Sequence, residues 1–463
     1  MRTWLLSAGA VLALLVALPA ARAHRAAELE VNVSNLRGIQ NEPNIAVDPS
    51  NSRVLLAASN SVGEGTMRLY SSTDGGVTWM TTTAYPAPKR LAEACAADPW
   101  TAIDLTGRQY FSFLRSSPCR KAPARLYVIT RSGPNAPWSR PVLVASLGRA
   151  RFDDKPALAV DTSSVSRYRN RVYVAWSRVS RLGVFSIVLS RSDDGGRTWS
   201  RPVKVNRSGR EESYASIAVS RSGLVYVAWD DMTNFHVNIA RSTDGGAHFG
   251  REHTVTAFKI VTIPHCGSGI VIPALRLTCV HANPIVTVDT SSGRYAGRVY
   301  VTYAQTDFQG DHGTALTTFD AGLRALAGYP VSGRIFALAP TPEGENADQF
   351  WPQSAVDPST GALWACFYDT RGDPGRRSAF YSCTLSTDGG MTWARPVHAA
   401  TVASDETQPG ADPREYGDYE GLAVADGVAH PIWTDSRDLG TLREEIYTTA
   451  LSEASLKPPA PSG

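Results

Sequence analysis

Short stretches of alternating polar and apolar residues recur along this chain and predict β-strands. Glu28–Ser34 alternates in this way, and after the first 25 residues no long stretch has the 3.6-residue period of an amphipathic helix. Two strand-like segments then follow each other repeatedly, one of the form Pro-x-x-Ala-Val-Asp and one of the form Val-Tyr-Val-Ala-Trp. The pattern therefore predicts an all-β protein built from repeats.

Seven copies of the first segment can be counted. One unit has too little apolar surface to be stable alone, so the units must stack, and a ring closes their edges. The last unit has room for only three strands, and the lone strand at Glu28–Ser34 can supply its fourth. The seven copies are Glu42–Asp48, Asp98–Asp104, Pro156–Asp161, Tyr214–Val219, Asn283–Asp289, Trp351–Asp357 and Tyr419–Val424.

An eight-residue frame separates the third strand of several units from the fourth. It reads Ser-x-Asp-x-Gly-x-Thr-Trp, which is typical of a hairpin turn. The aspartate can accept hydrogen bonds from backbone N–H groups of its own turn, and the glycine can take a positive φ. Three full copies and one weaker copy occur, at Ser72–Trp79, Ser192–Trp199, Ser386–Trp393 and, with His and Phe last, Ser242–Phe249.

This frame resembles the Asp-box (BNR repeat) of sialidases and related β-propellers. In that family the turn lies on the face away from the active site, so the resemblance implies that these aspartates hold the fold. We expect one all-β domain, a seven-bladed β-propeller of four-stranded antiparallel blades, with the six-bladed sialidase type as the alternative. The expected bounds are a signal peptide at 1–23, the propeller at 24–455 and a disordered tail at 456–463.

Residues Met1–Ala23 have the pattern of a secretory signal peptide, with Arg2 before an apolar run and Ala21-Arg22-Ala23 as the cleavage site. An uncleaved anchor is the alternative. We expect a protein exported to the periplasm or the extracellular space. Six cysteines in an exported chain favour disulfides, and pairing of nearest neighbours predicts Cys95–Cys119, Cys266–Cys279 and Cys366–Cys383.

The balance of charge excludes some partners. Cleavage would remove Arg2 and Arg22, which leaves 44 of the 46 basic residues against 43 acidic ones, and no basic block stands out. We therefore expect no nucleic acid and, after cleavage, no membrane partner. We expect a monomer that binds a glycan or glycoconjugate.

Candidate chemistry follows from the strand order. The loops before each first segment and after each second segment share the face opposite the turns, where ligand groups can converge. Sialidases use a tyrosine activated by a glutamate as nucleophile and an aspartate as acid/base. By resemblance, Tyr416 or Tyr419 beside Glu415 or Glu420 are the nucleophile candidates. The acid/base candidates are Asp153 and Asp154.

Sialidases also clamp the substrate carboxylate with three arginines, because guanidinium is planar and bidentate. Their Arg-Ile-Pro motif has no counterpart in Asn41–Asn44, so Arg178, Arg371 and Arg437 are assigned to the clamp by position. Two of them lie in matching loops, Asp369-Thr370-Arg371 and Asp435-Ser436-Arg437, which alternatively form structural salt bridges. Trp100 and Trp351 are candidates for stacking on sugar.

Two functions follow from this resemblance. The first is a secreted exo-glycosidase that releases terminal sugars, sialic acid among them. The alternative is a non-catalytic propeller that binds carbohydrate or protein on its polar face. We expect no cofactor and no metal site of His or Cys, and bound calcium is an alternative explanation for the acidic loops.

Overall fold

The computed structural model describes residues 28–83, 95–119, 121–207, 211–257, 261–263, 267–306, 312–326, 338–339, 346–411 and 415–456. The predicted signal peptide, residues 457–463 of the predicted tail and Cys266 lie outside the described residues. Within these ranges, no helix is long and apolar enough to cross a membrane.

Antiparallel β-strands make up most of the described chain, as the alternating pattern predicted. A 3₁₀ turn (Val62–Glu64) and a short C-terminal helix, α1 (Glu453–Leu456), are also present. The strands are β1 (Glu28–Asn32), β2 (Gly38–Asp48), β3 (Asn51–Ser61), β4 (Thr66–Ser72), β5 (Met80–Thr83), β6 (Cys95–Ile103), β7 (Gln109–Ser116), β8 (Arg125–Arg131), β9 (Val142–Leu143), β10 (Ala150–Val160), β11 (Val172–Ser180), β12 (Phe185–Ser192), β13 (Val203–Lys204), β14 (Glu212–Val219), β15 (Val225–Asp231), β16 (His236–Ser242), β17 (His253–Ala257), β18 (Val261–Ile263), β19 (Gly267–Gly269), β20 (Ile285–Val288), β21 (Val299–Thr306), β22 (His312–Phe319), β23 (Gln349–Val356), β24 (Leu363–Asp369), β25 (Phe380–Ser386), β26 (Val397–His398), β27 (Gly421–Ala425), β28 (Val428–Asp438) and β29 (Arg443–Ser452).

Strands consecutive in the chain pair into successive sheets. Four-stranded sheets are formed by β6–β9, β10–β13, β14–β17 and β23–β26, while β20–β22 form three described strands and β18–β19 a separate hairpin. The units β2–β5 and β27–β29 are joined into one eight-stranded sheet, which includes β1, by a short parallel pairing of β2 with β29. The first strands of these sheets contact one another in chain order, from β2 to β27, and β27 contacts β2. The sheets are thus arranged as a β-propeller around a central channel lined by their first strands, which we call the inner strands.

The two ends of the chain meet in one sheet. Strand β1 pairs antiparallel with β29, with Val31 opposite Thr448 and Asn32 opposite Tyr447. The sheet β27–β29 therefore receives its fourth strand from the N-terminal region, which confirms the prediction made for Glu28–Ser34. The edge of β29 is thus covered by β1 and by the first residues of β2, Gly38 and Ile39, which pair parallel with it.

The core lies between neighbouring sheets. The tryptophans of the Val-Tyr-Val-Ala-Trp segments, Trp176 and Trp229, are fully buried, as are Trp364 and Trp433 of later sheets. Burial of one such side chain contributes roughly 1.5–3 kcal/mol. Disulfides join Cys95 to Cys119 and Cys366 to Cys383, as predicted, and Cys279 is also disulfide-bonded. These bonds indicate an extracellular protein.

The repeated Ser-x-Asp turn has the hydrogen bonds that its sequence predicted. In the copy after β12, the carboxylate of Asp194 accepts bonds from the backbone N–H and the hydroxyl of Thr198, at 2.9 and 2.6 Å. Ser192 accepts a bond from the N–H of Gly196, whose φ is +83°. These side chains thus accept hydrogen bonds from the backbone N–H groups of their own turn, at the ends of the strands.

At the opposite ends of the strands, five inner strands carry the same irregularity. Their register with the next strand shifts at one position, between Asn41 and Asn44 in β2 and at the equivalent point of β6, β10, β14 and β23. The first residue of each bulge has a positive φ, and a proline follows it in four of the five. β-Bulges re-aim side chains, and non-glycine residues with positive φ are concentrated at functional sites.

Candidate functional site

The bulges bring side chains from most of the sheets together at one end of the central channel. The residues at this repeat position all have φ between 43° and 57°, although none is glycine. A left-handed backbone costs a non-glycine residue of order 1–3 kcal/mol, so the surrounding fold must hold these residues in place. They are Glu42, Asp98, Lys155, Tyr214, Asn283 and Trp351.

Lys155 is the centre of this group. Its ammonium group contacts the carboxylate of Asp418 and lies 3.9 Å from Oε1 of Glu42. Its backbone N–H donates to Oδ2 of Asp98 at 3.2 Å. The ammonium also lies 5.5 Å from the ring centre of Tyr214, within the range of a cation–π interaction. Lys155 therefore contacts residues that lie in or just before four other inner strands.

Aromatic side chains and a side-chain amide make further contacts around Lys155 and Asp418. Tyr214 stacks on His281, with centroids 5.1 Å apart, and Tyr419 packs against Trp100 at 5.6 Å. The side-chain amide of Asn283 donates to the backbone carbonyl of Asp418 at 3.0 Å. We call Glu42, Asp98, Asp154, Lys155 and Asp418 the acidic cluster.

The pKa values of the carboxyl groups in the acidic cluster are shifted in opposite directions. Burial raises the pKa of Glu42 to about 8, with Asp418 and Asp98 adding to the effect and Lys155 opposing it. Burial and the charge of Asp98 raise the pKa of Asp154 to about 7. Burial opposes it, but the charge and hydrogen bond of Lys155, together with His281 and Glu42, lower the pKa of Asp418. Carboxyl groups with raised and lowered pKa values thus lie in one cluster.

A cleft opens beside the acidic cluster, between the sheets β2–β5 and β6–β9. Its volume is about 670 Å³, and Asp98 and Asp154 form part of its lining. Asn60 and Arg115 line it as well, together with the Cys95–Cys119 disulfide. A cleft of this size can receive a sugar unit, with two carboxyl groups in its wall.

The three predicted clamp arginines are each paired with an aspartate. Arg178 forms a bidentate ion pair with Asp153, with Nε at 2.8 Å and Nη2 at 3.1 Å. Asp153 is fully buried and also accepts a bond from the indole of Trp176 at 2.8 Å. This pair holds β10 to β11, and we leave Asp153 out of the proposed site because its oxygens are engaged.

The matching Asp-x-Arg loops form the same kind of pair. Nε of Arg371 donates to Asp369 at 2.6 Å, and Nε of Arg437 donates to Asp435 at 2.8 Å. Arg437 also makes two bonds to Glu30 of β1, at 2.6 and 2.9 Å. These contacts agree with the alternative prediction that the two loops form structural salt bridges. Asp369 and Asp435 are both buried.

Tyr416 and Glu420 form hydrogen bonds with residues other than the partners of the predicted tyrosine–glutamate pair. Tyr416 is fully buried, and its hydroxyl donates to the carbonyl of Ser404 at 3.0 Å. Glu420 lies 2.7 Å from the hydroxyl of Tyr368, so the tyrosine–glutamate contact joins two neighbouring sheets. Tyr419 is the predicted tyrosine that borders the acidic cluster, with its ring centre 6.0 Å from Nζ of Lys155.

The carboxylate of Glu415 binds the backbone of a loop. Its carboxylate accepts hydrogen bonds from the backbone N–H groups of Arg276, Leu277 and Thr278, at 2.5 to 3.1 Å. This anchors the segment after β19 to the last sheet. Of the predicted stacking residues, Trp351 is fully buried and Trp100 is partly exposed. Only Trp100 is accessible to a sugar.

Asp154 and Tyr419 of this region were predicted site residues, whereas Lys155, Glu42, Asp98 and Asp418 were not. A signal for three of them was present, since Glu42, Asp98 and Lys155 each precede a proline at the same position of the repeat. Aligning the repeats on that proline would have shown that one position carries charge in three successive units. Among the described residues, no group of three or more His, Cys, Asp or Glu side chains is arranged to hold a metal ion.

Comparisons with known proteins identify the fold. No family model matches the sequence, and no curated relative matches it. The Hadza microbial sialidase Hz136 is similar in structure, with a TM-score of 0.51 and 13% identity, over 93% of this chain and 69% of that chain. An ulvan lyase of polysaccharide lyase family PL25 gives a TM-score of 0.53 and 11% identity, over 93% of this chain and 100% of that chain. The chain therefore has the β-propeller fold of the sialidase-like proteins.

Proposed function

We propose that this chain is a secreted, glycan-active propeller of seven Asp-box-type blades, and that its acidic cluster cleaves terminal sugars from glycans. The blade count is supported by the cyclic contacts of β2, β6, β10, β14, β20, β23 and β27. The completion of the last sheet by β1 supports closure of the ring at that blade.

The observation that carries the proposed activity is the presence of two carboxyl groups, those of Asp98 and Asp154, in the wall of one cleft. Glycoside hydrolysis needs one carboxylic acid to protonate the leaving oxygen and one carboxylate to act as base or nucleophile. Asp154, with its pKa near 7 and its place in the cleft wall, is the proposed acid. Asp98, in the same wall, is the proposed carboxylate partner.

The charges favour a neutral terminal sugar over a sialic acid. Arg178, Arg371 and Arg437 already share their guanidinium groups with aspartates, so a substrate carboxylate would have to displace an ion pair. Several carboxyl groups surround Lys155, which makes the site unfavourable for an anion. Trp100, packed on Tyr419, lies beside Lys155 and offers an aromatic surface next to the acidic cluster.

The proposal is tested by assaying the purified protein on a panel of neutral aryl glycosides and an aryl sialoside. We expect turnover of at least one neutral glycoside, strongly reduced in Asp154→Asn, and little on the sialoside. Absence of turnover on every member, with binding retained on a glycan array, would replace the hydrolase by the non-catalytic carbohydrate-binding propeller.

A further inference from the structure

A second cavity lies at the other ends of the strands, at the turn that departs most from the eight-residue frame. Its volume is about 370 Å³, and it lies between the turn Ser242–Phe249 and the segment Gly322–Leu323 of the next sheet. His248 and Phe249 occupy positions that threonine and tryptophan take in the other copies. This cavity is far along the strands from the bulges that form the acidic cluster.

The lining of this cavity is rich in basic side chains. Arg241, Arg251, His248 and His253 all contribute to it. One N–H of the Arg241 guanidinium donates to the carbonyl of Ala321 at 2.6 Å, which fixes the group at the cavity wall. A guanidinium has five N–H donors, so others remain for a ligand. Arg251 and His253 are exposed at the rim.

Asp244, the carboxylate in this lining, accepts hydrogen bonds from residues of its own turn. It accepts bonds from Ser242 at 2.8 Å, from the backbone N–H of Ala247 and His248 at 3.0 and 2.9 Å, and contacts Nδ1 of His248 at 2.7 Å. Although burial opposes it, the hydrogen bonds from His248 hold the pKa of Asp244 well below its usual range. Asp244 therefore stays ionised, with its oxygens bonded to its own turn, while two arginines, Arg241 and Arg251, stand against this one carboxylate in the lining.

An apolar wall faces the basic groups. The ring of Phe249 is partly exposed, and Leu323 is buried beneath the cavity. Sugar rings bind with an apolar face against such surfaces, while sulfate and carboxylate groups bind to arginine in a bidentate manner. We infer that this cavity binds a sugar unit that carries a sulfate or carboxylate group, separately from the chemistry at the acidic cluster. Arg241 and Arg251 hold the anionic group.

The experiment is isothermal titration calorimetry of the full chain with a monosulfated disaccharide, its unsulfated counterpart and inorganic sulfate, in low-salt buffer. We expect the sulfated disaccharide to bind and the unsulfated one to bind at least about tenfold more weakly, as for the loss of one charged hydrogen-bonded contact. Arg251→Ala should weaken binding by about tenfold. Arg201→Ala is the matched control, because Arg201 is the exposed arginine at the same position of the turn copy after β12.

Three results would overturn the inference. Equal loss of affinity in Arg201→Ala and Arg251→Ala would assign the binding to general surface charge. Equal binding of the unsulfated disaccharide would remove the anionic group from recognition. Binding of inorganic sulfate as tight as that of the sulfated disaccharide would make the cavity a small-anion site and remove the sugar. Arg241→Gln with a thermal unfolding control is the second variant, since Arg241 also contacts Ala321.

Discussion

The ammonium group of Lys155 in β10 contacts the carboxylate of Asp418, just before β27, although 263 residues separate them in the chain. Both side chains are largely withdrawn from water, with 16% and 31% of their surface exposed. The contact exists only because the ring of sheets is closed. It links the geometry of the fold directly to the charge of the candidate site.

Replacement of Lys155 by methionine should destabilise the protein strongly at neutral pH. The change leaves Asp418 and Glu42 without their cation, and removing one partner of a buried ion pair costs about 3–5 kcal/mol. The loss in free energy of unfolding should become smaller as pH falls, because the unpaired carboxylates of the variant can then take up protons. Urea denaturation at pH 8 and pH 5 measures both effects.

The control for this variant is Lys204→Met, which removes an exposed lysine of β13. It should change the free energy of unfolding by less than about 0.5 kcal/mol, as is usual for surface positions. If Lys155→Met and Lys204→Met were equally stable at pH 8, the lysine would not compensate the acidic cluster.

Replacement of Glu42 by glutamine should reduce the pH dependence of stability. The pKa of Glu42 is raised in the folded state to about 8, so folding favours its protonated form. Its contribution to stability is complete below about pH 4.5 and is lost as pH rises through about 8. Glutamine cannot ionise, so the loss of stability between pH 5 and pH 8 should be smaller in the variant, by on the order of 3 kcal/mol.

The measurement is the free energy of unfolding at intervals between pH 5 and pH 8, with Glu64→Gln as the control. Glu64 is exposed and pairs with Arg68 outside the acidic cluster. Parallel pH curves for wild type and Glu42→Gln would contradict the prediction. Asn60 can keep its hydrogen bond to the amide oxygen of the glutamine, so the local geometry is retained.

The repeat and the turns could be predicted because they depend on local sequence. The frame Ser192–Trp199 satisfies its own backbone, and the Ala-Val-Asp and Val-Tyr-Val-Ala-Trp segments alternate with the period of a strand. The closure by β1 followed from the shortage of strands in the last unit. These features need no knowledge of which units become neighbours across the channel.

The site depends on contacts between sheets, and the spacing of residues along the sequence does not reveal which sheets become neighbours. Arg437 contacts Glu30 only because β1 joins the last sheet, and Glu420 contacts Tyr368 only because two sheets pack side by side. The resemblance to sialidases selected arginines by position, without information on the aspartates that neutralise them. The charged position before the proline was visible in the sequence, but its convergence on Lys155 requires the ring.

Removal of Arg437 should weaken the closure of the ring and leave substrate preference unchanged. Arg437 joins Asp435 of β28 to Glu30 of β1, with a pKa raised far above its usual value by these carboxylates despite its burial. A double-mutant cycle with Arg437→Met and Glu30→Gln should give a coupling energy of about 0.5–3 kcal/mol. Chemical denaturation of the four proteins measures it.

Arg371→Met is the comparison variant, since Arg371 pairs with Asp369 of its own loop. It should show no coupling to Glu30→Gln. If Arg437→Met instead kept full stability and changed the ratio of sialoside to neutral glycoside turnover, Arg437 would belong to a substrate clamp and its structural role would be wrong.

Replacement of Asp154 by asparagine should strongly reduce catalysis without loss of stability. A general acid contributes typically 10²–10⁴-fold to the rate, and asparagine of nearly equal shape cannot donate the proton. In the wild type, kcat/KM should fall as pH rises above about 7, because Asp154 then loses its proton. The residual activity of the variant should lack this alkaline decline. Asp426→Asn, in the exposed turn between β27 and β28, is the matched control and should keep both rate and pH profile. A variant with the wild-type profile would show that another group donates the proton.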